Sequence, residues 1–363
     1  IVTASSDKTA KVWSSSGQEL ATLNGHTGPV SNANFSPDGK TIVTASLDET
    51  AKVWSSSGQL IATLKGHTEL VFDANFSPDG KTIVTASGDE TAKVWSSGGK
   101  LIATLKGHTE LVSNANFSPD GKTIVTASSD KTAKVWSSSG QLIATLNGHT
   151  GSVNNANFSP DGKTIVTASD DKTAKVWSSS GQLIATLNGH TGSVNNANFS
   201  PDGKTIVTTS NDKTAKVWSS SGQEKATLIG RQNSVSPDGK TIVTVSGDTA
   251  KVWSSSGQLI ATLIGHTGSV FNANFSPDGK TIVTASLDKT AKVWSSSGQE
   301  KATLKHTGWV KEANFSPDGK TIVTASFDGT AKVWSSSGQE KATLIGHTDI
   351  VSNANFSPDG KTI

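Results

Sequence analysis

The sequence predicts an all-β fold: a closed β-propeller of four-stranded blades, nine in number, with eight blades plus one degenerate unit as the alternative. Three observations predict it. "GHT" begins at Gly25, Gly66, Gly107, Gly148 and Gly189, a 41-residue period, and returns at Gly265, at Gly346 and as "KHT" at Lys305. "KVW" occurs nine times, ending at Trp13, Trp54, Trp95, Trp136, Trp177, Trp218, Trp253, Trp294 and Trp334. Between these marks no segment shows a helical period. A repeat near 40 residues with a GH…W signature means a propeller.

The unit around residue 160 justifies each element in order. "VNNANF" (Val153 to Phe158) is the first strand. "SPDG" (Ser159 to Gly162) is a turn, with Pro presetting φ and Asp-Gly closing the hairpin. "KTIVTAS" (Lys163 to Ser169) is a β-branched second strand. "KTAKVW" (Lys172 to Trp177) is the third, "SSSG" a turn, and "QLIATL" (Gln182 to Leu187) the fourth. One such sheet cannot bury both faces, whereas stacked copies can.

Composition narrows the function classes. The chain has 363 residues and a formal charge of +2, which makes no electrostatic case for nucleic acid. No apolar run approaches the roughly 18 residues of a membrane helix, so no membrane partner is expected. No signal peptide is read, and a cytoplasmic location is favoured. Cysteine is absent, which excludes disulfides and thiolate metal sites. Met and Tyr are absent too, as expected of near-identical duplication of one unit or of an incomplete chain.

The GH, the SPDG hairpin, the "SxDxT" and the Trp together resemble the WD40-repeat family along essentially the whole chain, residues 1–363. The likeness is strongest to near-identical repeat arrays of bacterial, especially cyanobacterial, multidomain proteins. One departure is uniform: the Asp of the "WD" dipeptide is Ser in every unit, as at Ser14, Ser55 and Ser96. The resemblance implies a closing blade shared by both ends, since "SPDGKTI" at Ile363 joined to "IVTAS" at Ile1 makes one unit with a single surplus Ile.

Each regular unit carries a Ser, a His and an Asp, the residue types of a hydrolase triad. The resemblance instead implies a structural hydrogen-bond network in each blade, mapped here onto His149, Ser169, Asp171 and Trp177. A buried indole N–H and a buried imidazole both require partners. Eight copies of one staple are plausible and eight copies of one active site are not. No phosphate loop, zinc-protease motif or calcium loop is present. The expectation is therefore no catalysis, no metal and no cofactor.

Function is sought where the units differ. The residue before the "SxD" Asp is variable and includes Leu47, Leu287 and Phe327; the residue after the first-strand Val includes Phe72, Phe271 and Lys311. Trp309 stands just before such a Val. Eight of the eleven Phe residues are framework, and the other three, with Trp309, all fall on the predicted loop face. Aromatic anchors on a rigid surface are typical binding hot spots. Leu47, Phe72, Phe271, Leu287, Trp309, Lys311 and Phe327 are the candidate partner-binding residues. On the fourth strand "QLIATL" alternates with "QEKATL", so Leu60/Ile61, Leu101/Ile102, Leu142/Ile143 and Leu183/Ile184 make apolar outer edges open to self-association or to burial against the next blade. Asn34, Asn75, Asn116, Asn157, Asn198, Asn274, Asn314 and Asn355 recur in the first strand and predict a polar channel.

One unit, about residues 231–265, is degenerate. Its "GRQNSVSPDGK" replaces His by Arg231 and lacks a block taken as equivalent to "NNANF", so a three-stranded or shortened blade is expected. The functional expectation is a non-catalytic scaffold for protein partners, a sensor or recruitment domain. A carbohydrate- or small-ligand-binding, lectin-like propeller is the alternative.

Overall fold

The structure, a computed structural model, describes residues 1–360, with the side chains of residues 232 and 233 outside the description. The joint expected between "SPDGKTI" and "IVTAS" therefore falls partly on residues outside the described ones. Among the described residues every helix or strand element is a strand, and the strands form nine four-stranded, antiparallel blades of a β-propeller. The collapse to eight does not occur.

Blade 1 orders Val351–Asn355, Val2–Ser5, Ala10–Trp13 and Glu19–Leu23 side by side, joining strands from both ends of the chain. Blade 2 runs from Val30–Phe35 to Leu60–Leu64, blade 3 from Val71–Phe76 to Leu101–Leu105, and blade 4 from Val112–Phe117 to Leu142–Asn147. Blade 5 runs from Val153–Phe158 to Leu183–Leu187, blade 6 from Val194–Phe199 to Glu224–Ile229, and blade 7 from Gln232–Val235 to Leu259–Leu263. Blade 8 runs from Val270–Phe275 to Glu300–Lys305, and blade 9 from Val310–Phe315 to Glu340–Ile345.

The chain forms two compact units. One (Ile1–Ile42, Trp54–Gln59 and Leu228–Ile363) holds blades 7, 8, 9 and 1; the other (Val43–Val53 and Leu60–Thr227) holds blades 3, 4, 5 and blade 6 as far as Thr227. Within each, the apolar core lies between consecutive blades. In the second unit, Val125, Ala127, Ala133 and Val135 of blade 4 pack on Val153, Ala156, Ile165 and Trp177 of blade 5. In the first, Val283, Ala285, Ala291 and Val293 of blade 8 meet Val310, Ala313, Ile322 and Trp334 of blade 9 in the same way. The second strand is covered on both faces, so "TIVTAS" is buried almost throughout and does not alternate. Gly140 turns the third strand into the fourth at φ +94 and lies so close to Ala103 of blade 3 that no Cβ fits there.

A β-bulge marks both edge strands. Val153 pairs with Ser169 and Asn155 with Ala168, leaving Asn154 as the extra residue. The same bulge singles out Phe72, Ser113, Asn195, Phe271, Lys311 and Ser352 in blades 3, 4, 6, 8, 9 and 1. The variable position after the first-strand Val is thus the bulge residue, which a bulge re-aims out of the sheet. A second bulge on the fourth strand pairs Val176 with Ala185 and Trp177 with Leu183, leaving Ile184 extra. Bulged edges resist strand addition.

Blade 7 is the shortened blade expected from "GRQNSVSPDGK", and it corrects where the deletion falls. It keeps four strands, and its first strand is shortened to Gln232–Val235. Val235 pairs with Ile242 as Phe158 pairs with Ile165, and Ser234 with Val243 as Asn157 with Val166. Register runs back from the SPDG turn, so the missing block is the His-bearing loop and the start of the strand, not "NNANF". The turn after its second strand is shorter as well: Ser246 pairs with Thr249 across Gly247, whose φ of +60 suits a tight hairpin.

Candidate functional site

Both ends of the second strand are turns, and the functional candidates cluster at the one that carries the His loop. In blade 5, Trp177 Nε1 donates to Thr167 Oγ1 at 2.9 Å, and Thr167 Oγ1 lies 2.8 Å from His149 Nε2. His149 Nδ1 lies 2.7 Å from Asp171 Oδ2. A carboxylate only accepts, so Nδ1 carries the proton and Nε2 accepts from the threonine hydroxyl. Asp171 also accepts from the Thr173 hydroxyl at 2.6 Å and from the Thr150 amide at 3.0 Å. The chain indole–threonine–imidazole–carboxylate recurs at Thr85, Thr126, Thr208, Thr284 and Thr324.

The hydroxyl at the centre of this chain is Thr167, whereas the sequence placed Ser169 there. Ser169 Oγ donates to the Gly151 carbonyl at 3.0 Å and accepts from the Asp171 amide at 3.1 Å. It is bonded to neither His149 nor Trp177, so these residues do not form the nucleophile–base pair of a hydrolase. Thr167 and Thr173 were missed because a β-branched residue in a strand reads as filler.

Electrostatics follow from burial. Burial lowers the pKa of His149 despite the opposing pull of Asp171, keeping the imidazole neutral. Burial alone would raise Asp171, but hydrogen bonds from Thr173, the Thr150 amide and His149 outweigh it and hold the carboxyl at about 2. In blade 7, where Arg231 is exposed, Thr244 Oγ1 still accepts from Trp253 at 2.9 Å but donates to the Ile229 carbonyl at 2.7 Å in place of a histidine. In blade 9 the glycine lost before His306 changes little: His306 stays 3.1 Å from Asp328 and 2.7 Å from Thr324.

This loop end brings variable positions together. The amide of the residue before each "SxD" Asp donates to the carbonyl of the residue before the first-strand Val: Asp170 to Ser152, Leu287 to Ser269, Phe327 to Trp309, each at 2.9 Å. The bulge residue joins them, as where Asn154 Nδ2 donates to Asp170 Oδ1 at 2.8 Å. Regular blades such as 5, 6, 8 and 9 therefore present three variable side chains side by side. Blades 5 and 6 present polar ones. In blade 9 Trp309 and Phe327 pack with ring centroids 5.5 Å apart and planes tilted by 42°, Trp309 remains 47 % exposed, and Lys311 is exposed two residues on. In blade 8 Phe271 and Leu287 are half-buried. In the other unit Phe72 is half-buried against Gly88, and Leu47 is exposed.

The first-strand asparagines are bonded from blade to blade rather than merely facing a polar space. Asn116 Nδ2 donates to the Ala156 carbonyl at 3.2 Å and to Asn157 Oδ1 at 2.9 Å; Asn274 does the same to Ala313 and Asn314. Among the described residues no group of His, Asp and Glu is arranged to hold a metal ion.

The comparisons with known proteins agree with this architecture. No curated protein sequence matches the chain. The chain is similar to the crystal structure of the computationally designed Ika8 protein, with a TM-score of 0.70 and 30% identity over 88% of this chain and 100% of that one. The WD40 family profile, described as "WD domain, G-beta repeat", matches residues 17–55, 58–96, 99–137, 140–178, 181–219, 257–295 and 298–335. These matches span most of the chain, with a gap at residues 220–256 that holds the first three strands of blade 7, and the chain belongs to the WD40-repeat family of β-propellers.

Proposed function

We propose that the chain is a non-catalytic scaffold, a sensor or recruitment domain, that docks a protein partner on the loop ends of blades 8 and 9. WD40 propellers generally bind protein partners and are generally non-catalytic. The carrying observation is the exposed Trp309 packed at a tilt on Phe327, with Lys311 two residues on and Phe271 and Leu287 on blade 8. A large aromatic held rigidly beside a cation has the composition of an interface hot spot. Leu47 and Phe72 offer a second contact zone on the other unit. The test is capture of partners by the immobilised chain, compared with Trp309→Ala/Phe327→Ala and with Asn154→Ala/Asp170→Ala. A polypeptide lost with the first pair and kept with the second supports the reading. Equal capture by all three overturns it.

A second reading, a carbohydrate- or small-ligand-binding propeller, is favoured by one observation. The same cleft recurs between blades at the hairpin end. Pro119, Asp120 and Thr123 of blade 4 with Asp161 of blade 5 line one of about 540 Å³; Pro277, Asp278 and Thr281 of blade 8 with Asp318 of blade 9 line another of about 420 Å³. Paired carboxylates and hydroxyls suit vicinal sugar hydroxyls. Glycan-array binding that Asp120→Ala weakens and Trp309→Ala spares would replace the first reading with this one.

A further inference from the structure

One cavity breaks the repeat. It measures about 320 Å³ and lies among the first strands of one unit. Its wall is made from the bulge residues Phe271, Lys311 and Ser352, from the residues that follow them, Asn272, Glu312 and Asn353, and from Ser31. At the position of Glu312 the other regular blades have Asn32, Asn114, Asn155, Asn196, Asn272 and Asn353, or Asp73. Blade 9 thus puts a carboxylate where its neighbours in this cavity put an amide. The bulge at Lys311 then brings an ammonium to the same wall.

Opposite charges thus share one wall. Among the described residues neither Glu312 nor Lys311 takes part in an ion pair. Asn314, the Ala354 backbone and the charge of Lys311 all favour the Glu312 carboxylate, and burial outweighs them. Burial pushes its pKa up. A half-buried carboxylate that no cation touches is stabilised by one that reaches it. Lys311, exposed on the bulge, holds its charge at the rim. Phe271 closes one side with an apolar face, and Ser31 and Ser352 bring hydroxyls to the wall.

We propose that this cavity binds a small zwitterion of the α-amino acid class with an apolar side chain, its ammonium at Glu312, its carboxylate at Lys311 and its side chain against Phe271. A ligand with one charge would leave the other wall charge unpaired. The volume admits a molecule of this size and excludes a folded partner. Phe271 and Lys311 belong also to the docking residues and Glu312 does not, so Glu312 separates the two readings.

The test is calorimetric titration of the whole chain with L-leucine. 3-Methylbutylamine and 4-methylpentanoate serve as probes, each leucine without one of its charged groups. Saturable 1:1 binding of leucine is expected, at least tenfold tighter than either analogue. Glu312→Asn and Lys311→Ser, which restore residues the repeat itself uses and so keep the fold, are each expected to weaken leucine binding at least tenfold. Absence of saturable leucine binding overturns the proposal, as does 3-methylbutylamine binding as tightly as leucine. Leucine binding unchanged in both variants overturns the site. Partner capture by Glu312→Asn remains intact in every case, which separates this result from the docking test.

Discussion

Asn157 of blade 5 donates through Nδ2 to Oδ1 of Asn198, 2.7 Å away in blade 6, and to the Ala197 carbonyl at 3.0 Å. Two residues 41 positions apart are thus tied across a blade boundary by side chains alone. Asn157→Ala removes both bonds and leaves a partly buried carbonyl unmatched. The expected loss is about 1–3 kcal/mol in urea unfolding. The converse substitution lies in blade 7, where Ser234 occupies the same register opposite Val243. Ser234→Asn extends the ladder toward Asn274 of blade 8 and is expected to stabilise by about 0.5–1.5 kcal/mol. A neutral or destabilising Ser234→Asn would show that the shortened strand sits too far from its neighbour to join the ladder.

Thr167 bears more of the blade than its place in "TIVTAS" suggests. Its hydroxyl serves Trp177 Nε1 and His149 Nε2 at once. Thr167→Val keeps the shape and removes both bonds, leaving a buried indole N–H and imidazole nitrogen unpaired. The expected cost is about 1–3 kcal/mol for each group so left. Thr167→Ser keeps the hydroxyl and is expected to cost less than half as much. Equal losses for Val and Ser would place the effect in the methyl packing instead of the hydroxyl.

Strands, turns and blade number were legible in the sequence because each is a local pattern repeated at a fixed period. The variable positions were legible as well, but not what places them. A bulge is a property of two paired strands, so nothing within "VNNANF" announces that Asn154 is its extra residue. The deletion near Arg231 was misplaced for a related reason. Aligned from "GH" forward, the strand seems lost; hydrogen bonding anchors the unit from the SPDG turn backward, where Val235 takes the place of Phe158. Glu312 was legible as the departure from asparagine in its row, a signal masked by attention to aromatics.

The fourth strand tolerates exchange because it is an exposed, bulged edge. Leu101 and Ile102 are 44% and 45% exposed. At the position of Leu101, blade 8 has Glu300, whose carboxylate receives Lys292 Nζ at 2.9 Å; in blade 3 the equivalent Lys93 Nζ has Thr104 Oγ1 at 3.5 Å. Leu101→Glu supplies Lys93 with that carboxylate. Stability is expected to stay level or rise by about 0.2–1 kcal/mol, the range of a partly exposed ion pair. Any concentration-dependent sedimentation of the parent chain through this edge is expected to fall in Leu101→Glu/Ile102→Lys. A loss above about 1 kcal/mol would mean that the pair is packed against a neighbour in solution.

Stability should also follow pH in two steps. Burial lowers the pKa of His67, His108, His149, His190, His266 and His347 below that of a free imidazole, more than their aspartates raise it. The unfolded chain, with histidines near about 6.5, then binds more protons than the native one as the pH falls. Stability is therefore full above about 6.5 and declines below it. The aspartates act lower. Asp171 is held at about 2, against about 3.9 when unfolded, so its contribution is present above the unfolded value and is lost as the pH falls through the folded one. Melting temperatures from pH 8 to 2 should be flat, then decline below about 6.5, then drop more steeply below about 4. Blade 7, which lacks the histidine-bearing loop, adds nothing to the first step. A melting temperature unchanged between pH 7.5 and 5 would mean that the imidazoles take up protons in the native state as readily as in the unfolded one.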